Sequence, residues 1–199
     1  MIKKIHKIVL SFVAVATLGA CGGESLALLA NGIAAGQQGG NNQVQPNVDF
    51  DNARFVSQEI DRMRLTMTAQ QRFNGTSRYD GYVRLDKFFT NADAFGELIT
   101  QIDFGNERVS MTTGDFVVID DNTGRFIENT MGGLSMTDGR FEDVNGALAF
   151  RGTLRGAIAG GAVRANIGAN FYGQGGSAQG FEGTSLSGSS HQVSVNGID

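Results

Sequence analysis

The chain has 199 residues with 16 basic and 20 acidic side chains, and its net charge of −4 at pH 7 disfavours binding to the phosphate backbone of nucleic acids. Hydrophobic residues make up 41% of it, which is enough for a core, and the length suits one domain with short extensions. The 29 glycines and the single proline favour many short strands joined by tight turns.

Residues 1–20 have the pattern of a bacterial export signal. Three lysines among the first seven residues precede an apolar run over 8–18 that is too short to span a bilayer. The sequence Leu-Gly-Ala-Cys that ends at Cys21 resembles the lipobox of bacterial lipoproteins, in which the cysteine is lipidated and the chain is cut before it. Cys21 is the only cysteine and cannot form an internal disulfide. The alternative is an ordinary secretory peptide that is cut near Ala20.

Cleavage before Cys21 changes the charge of the chain. It removes three lysines and no acidic residue, which leaves 13 basic against 20 acidic side chains, or −7. We therefore expect membrane contact to come from the lipid and not from a basic patch. Gly22 and Gly23 lack the aspartate that often retains lipoproteins in the inner membrane. The expected location is the outer membrane of a Gram-negative bacterium, with the domain facing the periplasm or exposed at the surface.

Residues 21–50 are predicted to be a flexible tether, because they are rich in Gly, Asn, Gln and Ala without an apolar period. Residues 51–74 are predicted to be a helix and a connector. The helix is expected over 51–68, where Asp49 or Asp51 can cap its start. Its apolar side chains recur at helical spacing and are expected to pack in a core: Val56, Ile60, Met63 and Met67.

From Gly75 onward the apolar period changes to two, which predicts antiparallel strands with one buried face. The predicted inward residues are Tyr79, Val83, Leu85, Leu98, Ile102, Phe104, Val109, Met111, Leu148, Phe150, Leu154, Val163, Ala165, Ile167 and Phe171. Turns are expected at Asp80-Gly81, Asn122-Thr123-Gly124, Asp138-Gly139 and Asn145-Gly146.

About eight such strands fit between 75 and 190. The predicted fold is an all-β domain over 75–199, a single small antiparallel eight-stranded β-barrel, because closure removes the free edges of the sheet. The alternative is an eight-stranded barrel within the outer membrane. Such barrels carry aromatic girdles, and this chain has no tryptophan and three tyrosines, which disfavours that alternative.

Glycine and aromatic motifs follow the tether in a fixed order. They comprise a Tyr-x-Gly strand at 79–81, an Asp-Phe-Gly strand end at 103–105, and a Gly-x-x-Phe-Tyr-Gly…Gly-Phe-x-Gly segment over 168–183. This order resembles the C-terminal β-barrel of transferrin-binding protein B-type surface lipoproteins, although Gly175 and Gln179 stand near the family's usual Pro and Glu. The matching positions are Tyr79, Gly81, Asp103, Phe104, Gly168, Phe171, Tyr172, Gly173, Ala178, Gly180 and Phe181.

The resemblance implies an outer-membrane-anchored lipoprotein whose barrel binds a ligand, with a host or environmental protein in iron or haem acquisition as the candidate. It does not imply transferrin binding, because the family's transferrin receptors have two lobes and this chain has room for one barrel. The matching residues are structural and do not name a ligand. The alternative is a structural envelope lipoprotein without a diffusible ligand.

The glycine segment over 173–180 fits no phosphate-binding motif. Gly175 and Gly180 have the spacing of a P-loop, but Phe181 and Glu182 occupy the positions of the required Lys and Ser or Thr. We therefore expect no nucleotide cofactor at this segment.

Candidates for metal binding and catalysis are equally weak. The acidic runs at Asp120 and Asp138 lack the spacing of an EF-hand and are expected to form turns. His191 is expected in an exposed serine-rich tail, where the adjacent serines are poorly placed to act as its nucleophile. The sequence predicts a protein that is not an enzyme, without catalytic residues, metal or cofactor.

Overall fold

The computed structural model describes residues 45–64, 75–144, 147–173 and 178–199. Cys21, Met67, Asn145-Gly146, Gly175 and most of the predicted tether lie outside the described residues. The described elements are α1 (Phe50–Arg64), β1 (Thr76–Phe89), β2 (Ala92–Asp103), β3 (Arg108–Asp120), β4 (Phe126–Asn129), β5 (Gly132–Val144), β6 (Ala147–Ile158), β7 (Gly161–Tyr172), β8 (Gly180–Ser185) and β9 (Gln192–Ile198).

Eight of these strands close into an antiparallel barrel. Neighbouring strands follow the order β2-β1-β9-β8-β7-β6-β5-β3, and β2 also pairs with β3, which completes the ring. The short β4 pairs with the end of β3, so that β4 and β5 run along the same edge of β3 with Thr130 and Met131 between them. The predicted fold class, a single eight-stranded antiparallel barrel with one short helix, is confirmed.

Apolar side chains from alternate positions of the barrel strands fill the interior. All the residues predicted to face inward belong to this core or pack against it. The period of two predicted them because successive side chains of a strand point to opposite faces. The largest interior side chains that are fully buried are Tyr79, Leu85, Leu98, Ile102, Met111, Phe116, Met136, Phe150, Leu154 and Phe181.

Asp49, one of the two residues predicted as alternative caps, caps the start of α1. Its side-chain Oδ1 accepts a hydrogen bond from the backbone N–H of Asn52 at 3.0 Å, and its carbonyl accepts one from Ala53 N at 3.0 Å. The helix begins at Phe50, and its described part ends at Arg64. The predicted side chains Val56, Ile60 and Met63 form its buried face.

The helix lies on the outer face of the barrel, mainly over β9 and β8. The ring of Phe95 stacks on Phe50 with centroids 5.7 Å apart and on Tyr82 at 5.5 Å. This part of the sheet is therefore buried on both faces. The second core comprises Val48, Phe50, Ala53, Val56, Ile60, Met63, Tyr82, Phe95, Val117, Ile119 and Tyr172.

Two of the four predicted turns are wrong. Asp80-Gly81 lies inside β1, where the register to β2 is continuous. Asp138-Gly139 lies inside β5, at a shift of register between Ser135 and Arg140 that forms a β-bulge. Asn122-Thr123-Gly124 does lie in the connection between β3 and β4. Glycines at strand interiors here mark a bulge or a close approach of strands instead of a reversal.

The prediction of a serine-rich tail is also wrong, because Gln192–Ile198 is the barrel strand β9. It pairs with both β1 and β8 and joins the first strand of the barrel to the last ones. Val193 and Val195 face the interior, while the outward Ser194 and Asn196 are buried. Eight described strands, β1 to β8, do lie between 75 and 190, but the short β4 stands outside the ring, and β9 is the strand that completes the barrel.

Candidate functional site

Several of the predicted family residues meet at one end of the barrel interior. Phe171 lies at the centre of an aromatic cluster, with its ring centroid 5.4 Å from that of Phe150, 6.1 Å from Tyr79 and 6.2 Å from Phe181. Phe104, in the turn after β2, joins this cluster at 6.3 Å. Tilted ring pairs at these distances stabilise a core. The cluster is part of the packing of the barrel.

The hydroxyl of Tyr79 connects β1 to the segment before β8. It donates a hydrogen bond to the carbonyl of Ala178 at 2.7 Å, and Tyr79 is 1% exposed. Burial raises the pKa of Tyr79, and the nearby carboxylate of Asp199 raises it further. The phenol therefore stays protonated at neutral pH and acts as a hydrogen-bond donor within the fold.

Gly81 and Gly180 lie where neighbouring elements approach closely. A Cβ atom at Gly81 would lie 1.8 Å from the carbonyl oxygen of Asn196 on β9. One at Gly180 would lie 2.7 Å from Cδ1 of Ile60 on α1. Glycine at position 81 therefore leaves room for the backbone of β9, and glycine at position 180 leaves room for the ends of the side chains of Ile60 and Met63 on α1.

The remaining family positions also have structural roles. The carboxylate of Asp103 accepts hydrogen bonds from the Nδ2 and backbone N of Asn106 at 2.7 and 2.9 Å, and these bonds lower its pKa. Gly168 faces Leu186 on the outer surface, and Gly173 is buried directly after β7. The structure thus places the described residues of these sequence motifs in packing, turns and close approaches.

A buried ion pair, which the sequence did not predict, holds the end of α1 on the barrel. Arg64 donates through Nε to Oε2 of Glu182 at 2.9 Å and through Nη2 to Oε1. Glu182 is 5% exposed, and the family residue Tyr172 lies beside the pair on the outer face. Burial raises the pKa of Glu182, and the charge of Arg64 opposes that shift. The pair is a structural clamp between helix and barrel.

A second polar cluster fixes the turn between β1 and β2. Asp93, which is 1% exposed, accepts from Arg84 Nε at 3.0 Å and from the backbone N of Lys87 at 2.6 Å. Asp86 lies 2.9 Å from the same guanidinium, and its pKa is raised by burial against the lowering effect of Arg84. This network anchors the turn, although the buried Oδ1 of Asp86 has an ion pair with Arg84 and, among the described residues, no hydrogen-bond partner.

The serines beside His191 are used by the fold. The hydroxyls of Ser190 and Ser189 accept hydrogen bonds from the backbone N–H groups of Arg164 and Asn166 at 3.0 and 2.9 Å. His191 Nδ1 lies 2.8 Å from the hydroxyl of Ser190. These bonds attach the β8–β9 connection to β7, so the structure gives both hydroxyls a structural role.

The carboxylates of the two acidic runs also accept hydrogen bonds from nearby backbone N–H groups. Oδ1 of Asp120 accepts from both the N and the Oγ1 of Thr123 at 2.7 Å, which lowers the pKa of Asp120. Asp138 accepts from the backbone N of Thr153 at 2.9 Å. Within the described ranges, no three His, Cys, Asp or Glu side chains are grouped so that they could hold a metal ion.

Open grooves lie on the outer surface of the barrel. A groove of about 570 Å³ runs along β1, β2 and β3 and is lined by Thr76, Arg78, Gln101, Arg108 and Ser110 among others. Elsewhere the exposed apolar side chains include Met131, which is 85% exposed, and Ile127 on β4. Single exposed apolar residues of this kind are ordinary on a protein surface and do not mark a binding site.

No family model matches the chain, and no curated protein matches its sequence. The described helix α1 does not combine the length and the apolar character that are needed to cross a bilayer.

Proposed function

We propose that the chain is an outer-membrane lipoprotein, anchored by lipid at Cys21, whose barrel binds a partner protein through its outer surface. The observation that carries the proposal is the packing of the barrel interior by large side chains, from Tyr79 at one end to Leu85 towards the other. A barrel with a side-chain core offers its walls and loops for binding, unlike a larger barrel that encloses a ligand.

The charges of the barrel walls support a domain that stands beside the membrane. Arg78 pairs with Asp80 at 2.9 Å on the outer face of β1, and both side chains are more than half exposed. A further outward pair joins Arg151 to Glu142 at 2.9 Å. A charged side chain that faces lipid near the bilayer midplane costs about 2–4 kcal/mol. These walls are therefore suited to water, with the lipid at Cys21 as the anchor.

The resemblance to transferrin-binding protein B-type lipoproteins supports a more specific proposal, that the partner is a host or environmental protein in iron or haem acquisition. The proposed activity of the barrel is binding of a partner and not catalysis. Protease treatment of intact cells distinguishes a domain that faces the periplasm from one that is exposed at the surface.

Capture of a partner by the immobilised, unlipidated mature chain tests the proposal. We expect a protein from culture medium or host fluid to be retained, and to be displaced by the free domain but not by an unfolded form of it. A comparison of cultures grown with and without iron tests the more specific proposal, that the partner takes part in iron or haem acquisition. If nothing is retained under any condition, and protease treatment of intact cells leaves the protein whole, the binding proposal is contradicted in favour of a structural envelope lipoprotein.

A further inference from the structure

We draw no further inference here: the strongest candidate, the edge of the short strand β4 that faces away from β3 and exposes Ile127, is four residues long, and nothing in the described part of the structure shows what covers it.

Discussion

Gly81→Ala is expected to lower the free energy of unfolding by more than about 4 kcal/mol, a large share of the 5–15 kcal/mol of a typical domain. Gly81 faces Gly197 across the pairing of β1 with β9. A Cβ at Gly81 would lie 1.8 Å from the carbonyl oxygen of Asn196 and 2.6 Å from the Cα of Gly197. Both contacts are with backbone, which cannot move away as a side chain can. β1 and β9 would therefore have to move apart at this point of their pairing.

Denaturant unfolding followed by circular dichroism measures this effect. Gly114→Ala on β3 is the matched control, because a Cβ there meets no atom within 4 Å. It should leave stability unchanged or raise it slightly by restricting the unfolded chain. A Gly81→Ala protein as stable as the Gly114→Ala control would show that β1 and β9 do not meet in this register.

Arg64→Met is expected to destabilise the protein by about 2–4 kcal/mol near neutral pH, because it leaves the buried carboxylate of Glu182 without its partner. Part of Arg64 is exposed, with 24% of the side chain accessible, which keeps the effect below that of a fully buried pair. Arg62→Met is the matched control on the same helix. Its pair with Glu59 is exposed, and its loss should cost less than about 1 kcal/mol.

The pH dependence of this variant follows from the raised pKa of Glu182. A carboxyl whose pKa is higher in the folded than in the unfolded protein binds protons preferentially in the folded state, so its contribution to stability falls as pH rises from the unfolded pKa to the folded one. Loss of Arg64 raises the folded pKa further. Arg64→Met should therefore be closer to the unsubstituted protein at about pH 5 than at about pH 7.

Adding Glu182→Gln to Arg64→Met separates the clamp from the packing of the helix. The neutral amide has no charge to bury, so the double variant should recover stability near neutral pH and lose the pH dependence. A loss in Arg64→Met that is no larger than in Arg62→Met, at both pH values, would show that the Arg64–Glu182 pair does not fasten α1.

The sequence predicted the interior of the barrel because the period of two is a local property of each strand. It did not predict the outer core, since burial of Tyr82 and Phe95 depends on where α1 lies. One signal was present: the run Phe116-Val117-Val118-Ile119 has no polar alternation, which is typical of a strand covered on both faces. An amphipathic helix in the same chain, here α1, is the element that can cover the outer face of such a strand.

Strand β9 was missed for a related reason. Val193 and Val195 alternate with polar residues, which is a strand pattern. Because those polar residues, Ser194 and Asn196, are common in exposed tails, the segment was predicted to be one. Both polar residues are buried in the outer layer, where Asn196 Oδ1 accepts from the backbone N of Tyr82 at 3.3 Å. The sequence also could not show that Arg108 faces Arg140, because this depends on the register between β3 and β5.

Intact mass of the protein extracted from membranes, with and without Cys21→Ser, is the most direct test of a lipid-anchored barrel. The account predicts that the unsubstituted protein starts at Cys21, carries the mass of more than one acyl chain, and fractionates with membranes. Cys21→Ser should lack the acyl mass and leave the membrane fraction. A mature protein without acyl mass, or unchanged membrane association of Cys21→Ser, would contradict the account.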